Sequence, residues 1–524
     1  MYLNGIGMSK GGETMPAFEK ITPTNGFDFT NLNNARQNNY AWSMSELGDY
    51  IYVGTGRNIV VNVIRSIEPN TQIPALIRPD PIDNQAEIWR YKKDGTLPWE
   101  RVYKAPPGII GFRYMISDRP FNGSPCIFAA AYGSTVQVLK STNGVNWFIL
   151  PDTGHVLQGS SSRAMVIQNG RLYLSTINEL TSTTNATPML YSSEDPEFYP
   201  WESEIDVNAP GFDPKKNPQG SISNMAVFNN RIYVATSNDT DAQVWRTNSD
   251  VPRLNDWTLI ADKGFGDPAN KLTLSIGVFK DYLYVGASKQ LPLAWFVPMG
   301  CDIIRIDRND HWQLVVGGFP FLPQTPPCGQ INRSLSGYGS SFSNPFNVYA
   351  WQIQQYRDKL YISTFDDSSN MEVILSTLLA NRLALYQLIG QTVTNVLIDI
   401  YKAVVDILRA IRYPIGFDLY VSEDGVHFKA EVLSGLLNPN NYGGRMLYVD
   451  SNRDFYLGTA NPFQGCEVWK IRTNNCCESS PVNQNYYAGL MNARKILIEK
   501  YDLINQNMPA ILSVMSSSNY HRFA

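Results

Sequence analysis

Three arginines and two tryptophans are the side chains best suited to recognising a ligand. Trp42, Arg113, Arg163, Ser223, Leu274 and Trp351 fall at comparable positions of a recurring apolar run, and Arg445 lies close to the seventh such position. Clustered guanidinium groups grip a carboxylate through forked N–H donors. The two tryptophans stand in matching triplets, Tyr40-Ala41-Trp42 and Tyr349-Ala350-Trp351, and an indole face can stack on a sugar. The same residues can also serve structure, as stacking and hydrogen-bonding groups between packed strands. Loops after the second runs add Asn58, Glu179, Asp239, Asp241, Asp366, Asp367 and Asn461. The candidate ligand-binding rim is therefore Trp42, Arg113, Arg163, Trp351, Arg445, Asp366 and Asp367.

No cofactor is expected. Asn238-Asp239-Thr240-Asp241 and Asp366-Asp367-Ser368-Ser369-Asn370 offer oxygen ligands for Ca²⁺, although exposed turn acids are the plainer reading. There is no Gly-x-Ser-x-Gly elbow, phosphate-cradling loop or dinucleotide fingerprint. Cysteines stand at 126, 301, 328, 466, 476 and 477, without C-x-x-C spacing and with four histidines in the chain, so no zinc site is expected. Cys476-Cys477 follows the polar Thr473-Asn474-Asn475 and is a candidate for disulfides between chains. A formal charge of −4 with no polybasic block argues against nucleic acid as partner. Residues 1–20 lack the apolar run of a secretory signal, and no stretch reads as an ordinary transmembrane helix. The compartment stays open: cytoplasmic synthesis is expected, with assembly at a particle or cell surface as the setting that suits vicinal cysteines.

The elements that position these residues come from a repeat. An alternating run, a polar turn, a second run ending in small residues, a loop and a third run ending in a large residue recur along the chain. Tyr50-Ile51-Tyr52-Val53-Gly54-Thr55, Arg231-Ile232-Tyr233-Val234-Ala235-Thr236 and Leu360-Tyr361-Ile362-Ser363-Thr364 are copies of the second run. Period-2 alternation rich in β-branched and aromatic residues means strands, and four strands per unit predict an all-β, seven-bladed β-propeller. The last copy lacks a fourth run, and Phe18-Glu19-Lys20-Ile21-Thr22 supplies a matching one, so the N-terminal strand is expected to close the ring. Residues 1–40 thus form the closing segment, 41–475 the propeller and 476–524 a Cys-Cys tail with a C-terminal helix.

Two segments depart from the repeat. Residues 371–411 carry apolar side chains at helical spacing, with a break at Gly390, and predict a helical insertion in the sixth copy. A second helix is expected over 482–514, with Pro509 near its end. Because it follows a third strand, it should leave from the face opposite the insertion. Self-association or docking of another protein through helices 371–411 and 482–514 would follow, with a membrane surface as the weakest option.

Ser141-Thr142-Asn143-Gly144-Val145-Asn146-Trp147 and Ser422-Glu423-Asp424-Gly425-Val426-His427-Phe428 resemble Asp-box hairpins, the Ser-x-Asp-x-Gly-x-x-Trp turns found in sialidases, sortilin-like receptors and other propellers. The resemblance implies a propeller fold and little about activity. A sialidase likeness would add a Tyr–Glu nucleophile pair and an acid, for which Tyr114, Glu179 and Asp367 are the candidates. The leading expectation is a non-catalytic interaction or self-assembly scaffold. The alternative is a carbohydrate-binding or sialidase-like propeller using the rim Arg and Trp residues, with a glycan as ligand.

Overall fold

The computed structural model describes residues 18–67, 73, 77–120, 123–179, 186–290, 293–318, 334–471 and 484–517. The alternating runs form short antiparallel strands, preceded by β1 (Phe18–Lys20) and a helix α1 (Leu32–Gln37). Successive meanders follow. The first joins β2 (Asn38–Leu47), β3 (Tyr50–Arg57), β4 (Glu87–Lys92) and β5 (Glu100–Lys104), with α2 (Ile59–Ile67) in the β3–β4 connection. The second joins β6 (Gly111–Asp118), β7 (Cys126–Tyr132), β8 (Gln137–Ser141) and β9 (Phe148–Ile149). Next come β10 (Ser161–Gln168), β11 (Arg171–Ile177), β12 (Leu190–Ser193) and β13 (Glu202–Ser203). The fourth set is β14 (Ser221–Phe228), β15 (Arg231–Ser237), β16 (Gln243–Thr247) and β17 (Trp257–Ala261). After it run β18 (Asn270–Phe279), β19 (Tyr282–Lys289), a turn of helix α3 (Leu293–Phe296), β20 (Asp302–Ile306) and β21 (Trp312–Val316).

The next meander is β22 (Asn347–Tyr356), β23 (Lys359–Asp366), β24 (Leu419–Ser422) and β25 (Phe428–Val432). It is interrupted between β23 and β24 by α4 (Ser369–Ala380), α5 (Arg382–Ile389) and α6 (Gln391–Ala410). β26 (Gly443–Val449), β27 (Phe455–Ala460) and β28 (Val468–Ile471) come last, and β1 pairs antiparallel with β28, Phe18 opposite Ile471 and Lys20 opposite Trp469. First strands touch in order, β2, β6, β10, β14, β18, β22 and β26, and β26 touches β2. Antiparallel sheet thus dominates a propeller-like arrangement whose apolar seams lie between neighbouring meanders. One seam sets Tyr233, Ala235 and Val244 against Leu283, Val285 and Ile304.

A buried polar motif recurs beside those seams. Gly264-Phe265, Ser341-Phe342 and Gly435-Leu436 each hold two residues at positive φ, and Pro and then Asn follow four and six residues after the first. That Asn binds the acid opening the third strand: Asn270 to Asp302 (2.8 Å), Asn347 to Asp418 (2.7 Å) and Asn441 to Glu467 (2.7 Å). Asn38 binds Glu87 in the same way at 3.0 Å. Each network satisfies groups that would be costly to bury alone.

The helical insertion begins two residues before the expected start and contains three helices, since Asn381 breaks it as well as Gly390 (φ 84°). α6 buries Leu397, Ile400, Tyr401, Val404 and Leu408 and turns Asp399, Lys402, Asp406 and Arg409 outward. The C-terminal segment is two helices, α7 (Gln484–Glu499) and α8 (Tyr501–Ser517), with Pro509 inside the second. Their expected place on the opposite face is wrong. Leu490, Ala493, Leu497, Ile504 and Ile511 share one core with Met371, Ile374, Leu378 and Leu397, α7 lying on α6 and α8 on α4 and α5. The exit point of β28 fixes where the connection starts, but the thirteen steps from Ile471 to Gln484 reach roughly 40 Å when extended. Two apolar helical faces leave water by meeting each other.

Leu497→Ala, at a side chain 1% exposed, is expected to cost about 2–5 kcal/mol in denaturant unfolding. Amide exchange should quicken across α6, α7 and α8 before it does in the strands. An unchanged stability would mean this shared core is not formed. Among the described residues no single helix is long and apolar enough to cross a membrane; α4 and α5 pass that test only together, across an 81° bend.

Candidate functional site

Every first strand is interrupted by a bulge. The register slips between Ala41 and Ser43, Phe112 and Tyr114, Ser161 and Ala164, and Ile222 and Asn224. It slips again between Thr273 and Ser275, Ala350 and Gln352, and Gly444 and Met446. The residues in those gaps include Trp42, Arg113, Arg163, Ser223, Leu274, Trp351 and Arg445, the set singled out by sequence. A bulged residue loses its ladder partner and its side chain is re-aimed.

Two of these positions build the same device. The Arg113 guanidinium lies over the Trp42 ring at 5.0 Å, and Arg445 over Trp351 at 5.3 Å. Each tryptophan also covers a glycine two residues before its arginine. A Cβ on Gly111 would fall 2.2 Å from Trp42, and one on Gly443 1.9 Å from Trp351. Both indoles are thus platforms for a cation, as ring electrostatics favour, and they are 4% and 8% exposed. Tyr40 is edge-on to both, its hydroxyl bonded to that of Tyr442. Burial pushes the Tyr40 phenol up to about 12.

Arg163 joins this group from β10. Glu179 pairs with Arg113 and, at 3.5 Å, with Arg163. Burial, then the nearby Arg163 and Arg445, hold Arg113 well below its ordinary value. Arg445 is lowered to about 9 by burial and then Arg163, and burial lowers Arg163 to about 10. Nε of Arg113 and Nε of Arg445 have no hydrogen-bond partner. Two of the three guanidinium groups thus pair with Glu179, and among the described residues Arg445 has no carboxylate partner, an arrangement that favours an added anion. Side chains of Arg163 and Glu179 keep 19% and 13% of their surface exposed.

Among the described residues the remaining candidates make no ion pair with this cluster, although Asp367 lies near Tyr349 and Tyr442, which also neighbour Arg163 and Arg445. Tyr114 packs into the seams on either side of the third meander. Asp366 and Asp367 are buried where β23 meets α4, and burial followed by the adjacent Asp366 raises Asp367 well above the usual carboxyl range. Asn238 Oδ1 accepts the Thr240 and Asp241 backbone N–H groups at 2.8 and 2.7 Å, and Asn461 donates to Asn441 at 3.1 Å. No group of three or more His, Cys, Asp or Glu side chains among the described residues is placed to hold a metal. Cys476 and Cys477 lie outside the described residues; Cys126, Cys301 and Cys466 are buried free thiols. A cavity of about 190 Å³ beside α7 is lined by Lys289, Ser340, Ser343, Met491 and Arg494 and borders none of the bulge residues. Sequence reasoning passed over Tyr442, Tyr413 and the Asn–acid motif. The recurring Pro-x-Asn after Gly-Phe, Ser-Phe and Gly-Leu was the available signal.

The turn at Ser141 has the Ser hydroxyl accepting from Gly144 N (2.9 Å) and Asn143 Oδ1 from Val145 and Asn146 N. Ser422 and Asp424 repeat this toward Gly425, Val426 and His427.

No family model matches the chain, and no curated protein matches it in sequence. Among solved structures it is similar to a GH74 enzyme of Niastella koreensis (13% identity, TM-score 0.39, covering 66% of this chain and 47% of that one). It is also similar to PorZ, a surface component of the type-IX secretion system of Porphyromonas gingivalis (11%, 0.44, 83% and 46%). A third is a puromycin-hydrolyzing peptidase of Mycobacterium tuberculosis (9%, 0.46, 88% and 56%). The chain spans about half the length of the first two.

Proposed function

We propose that this chain is a seven-bladed, Asp-box-bearing propeller, sealed by its N-terminal strand, that binds a carboxylate-bearing carbohydrate at the arginine cluster without turning it over. The observation that supports this most is the charge imbalance: Arg113 and Arg163 share Glu179, Arg445 lies beside them with no ion-pair partner among the described residues, and two Nε donors are unused. A forked carboxylate supplies both the missing charge and the missing acceptors. Binding without catalysis is favoured because Glu179 is held by two arginines and Tyr114 packs into inter-meander seams, so no nucleophile pair is assembled.

Thermal-shift titration with N-acetylneuraminic acid and glucuronic acid tests this reading. One of them should raise the melting temperature of the parent, Arg163→Ala should abolish the shift, and fluorogenic sialosides should stay intact. No shift with either acid sugar in the parent ends the proposal.

A second reading, a scaffold that meets itself or another protein, is favoured by the helical cap. Leu379, Leu383 and Leu388 of α4 and α5 are 52%, 78% and 57% exposed. Light scattering on Leu383→Ser would show a smaller particle than the parent if this face associates.

A further inference from the structure

One cross-strand pair holds contrasting chemistry in three meanders. Asn38 stands opposite Arg57, Asn270 opposite Lys289 and Asn347 opposite Asp366. In the first, Arg57 Nη1 donates to Asn38 Oδ1 at 2.9 Å and lies 3.9 Å from Glu87. In the second, Lys289 Nζ donates to Asn270 Oδ1 (2.8 Å), Asp302 (2.6 Å) and Asp267 (2.8 Å). A buried base thus balances the acid at the head of the third strand. In the third case that acid is Asp418, and an acid replaces the base.

Asp366 faces Asp418 at the head of β24, Asp367 beside it, and Tyr413 on the segment returning from α6; Tyr420 of β24 and Tyr486 of α7 stand behind these. Among the described residues neither Asp366 nor Asp418 has an ion-pair partner, and they are 1% exposed. Burial raises Asp366 to about 7 and Asp418 to about 6. Asp367 Oδ2, also buried, has no hydrogen-bond partner.

The place matters as much as the charge. Asp366 ends β23 and α4 begins three residues later, with the Ser368 N–H and hydroxyl donating to Asp366 Oδ1 at 3.0 and 2.5 Å. Tyr413, three residues past α6, donates its hydroxyl to Asp366 Oδ2, accepts from Asn344 at 2.9 Å and stacks on Tyr486 at 6.0 Å. One carboxyl therefore ties the departing and returning ends of the insertion and, through Tyr413, the C-terminal helices.

We propose that Asp366 and Tyr413 form a proton-dependent clasp on the helical cap, closed while this acid pair keeps a proton and loosened as the proton leaves. The sign follows from linkage. A carboxyl raised in the closed state binds a proton more tightly there than in the open state. The clasp is therefore firmest below the ordinary carboxyl range and weakens as pH rises toward the closed-state value, with no further change above it. Each proton released shifts the opening equilibrium about tenfold per pH unit within that window. Any effect on access to the arginine cluster rests on the binding reading above; the clasp itself does not.

Amide exchange of the full chain, corrected for intrinsic rates and followed from about pH 5 to about pH 7, tests the clasp. Protection of α4 to α7 should fall by about tenfold per pH unit while β14–β17 stays constant. Asp366→Asn should flatten that fall. If this variant does not fold, Tyr413→Phe keeps the ring packing and removes a donor that favours the ionised carboxylate, so the fall, which the parent completes near pH 7, should continue above it when the series is carried to about pH 9. Cap protection that ignores pH in the parent, or an unaltered profile in the folded variants, overturns the clasp whatever the ligand titrations show.

Discussion

Glu87→Ala is expected to cost about 3–5 kcal/mol, read as a lower denaturant midpoint at an unchanged slope. Glu87 has no exposed side-chain surface and accepts from Asn38 (3.0 Å), Asn34 (3.0 Å), Trp89 (2.8 Å) and Arg101 (2.8 Å). Its removal leaves the equally buried Arg57 with Asp83 as its remaining charged partner, at 3.4 Å. A buried guanidinium left with one carboxylate in place of two is the larger part of the loss. Glu87→Gln should cost less, because an amide oxygen can still receive the indole N–H, as Gln243 receives Trp245 at 2.9 Å. A loss of under about 1 kcal/mol for the alanine variant would show that the network adds nothing to stability.

Removing residues 1–22 is expected to cost at least about 4 kcal/mol and to cause association. Phe18 and Ile21 are each 8% exposed, and burying such a side chain contributes about 1.5–3 kcal/mol. The truncation also deletes the Lys20–Glu467 ion pair (2.9 Å), the Ile21 N–H to Val468 bond (2.9 Å) and the Ile21 carbonyl that receives Trp99 (2.7 Å). β28 would then present a bare edge, which invites pairing between chains. Light scattering against protein concentration reads that outcome. A truncated chain that stays monomeric with unchanged unfolding would remove β1 from any structural role.

The strands were readable because alternation over five or six residues leaves one arrangement that buries the apolar set. The positions of Trp42, Arg113 and Arg445 were readable for a related reason: equivalent places in repeated strands receive equivalent geometry. What they touch was not. Gly111 and Gly443 look like ordinary strand glycines until the indoles lying on them are seen, and Glu179 looks like one loop acid among several. Helical spacing announced the insertion and the C-terminal segment. It could not say that Leu490 and Leu497 meet Leu397, because docking depends on complementary faces and the reach of the connection. The acid pair at Asp366 and Asp418 was hidden more deeply. It becomes notable only beside Arg57 and Lys289, once strand register shows that the three positions correspond.

The pairing of β1 with β28 also orders events on the ribosome. Phe18 and Ile471 are partners separated by nearly the whole run of strands. During synthesis, Phe18 emerges long before its partner and waits, uncovered, until translation passes Ile471, whereas Ile21 can already pack against Trp89 and Trp99 of the first meander. At about 5–20 residues per second that interval lasts tens of seconds. Earlier sheets can form in the meantime, but the join between first and last is a late step, and the nascent chain depends longest on whatever shields Phe18.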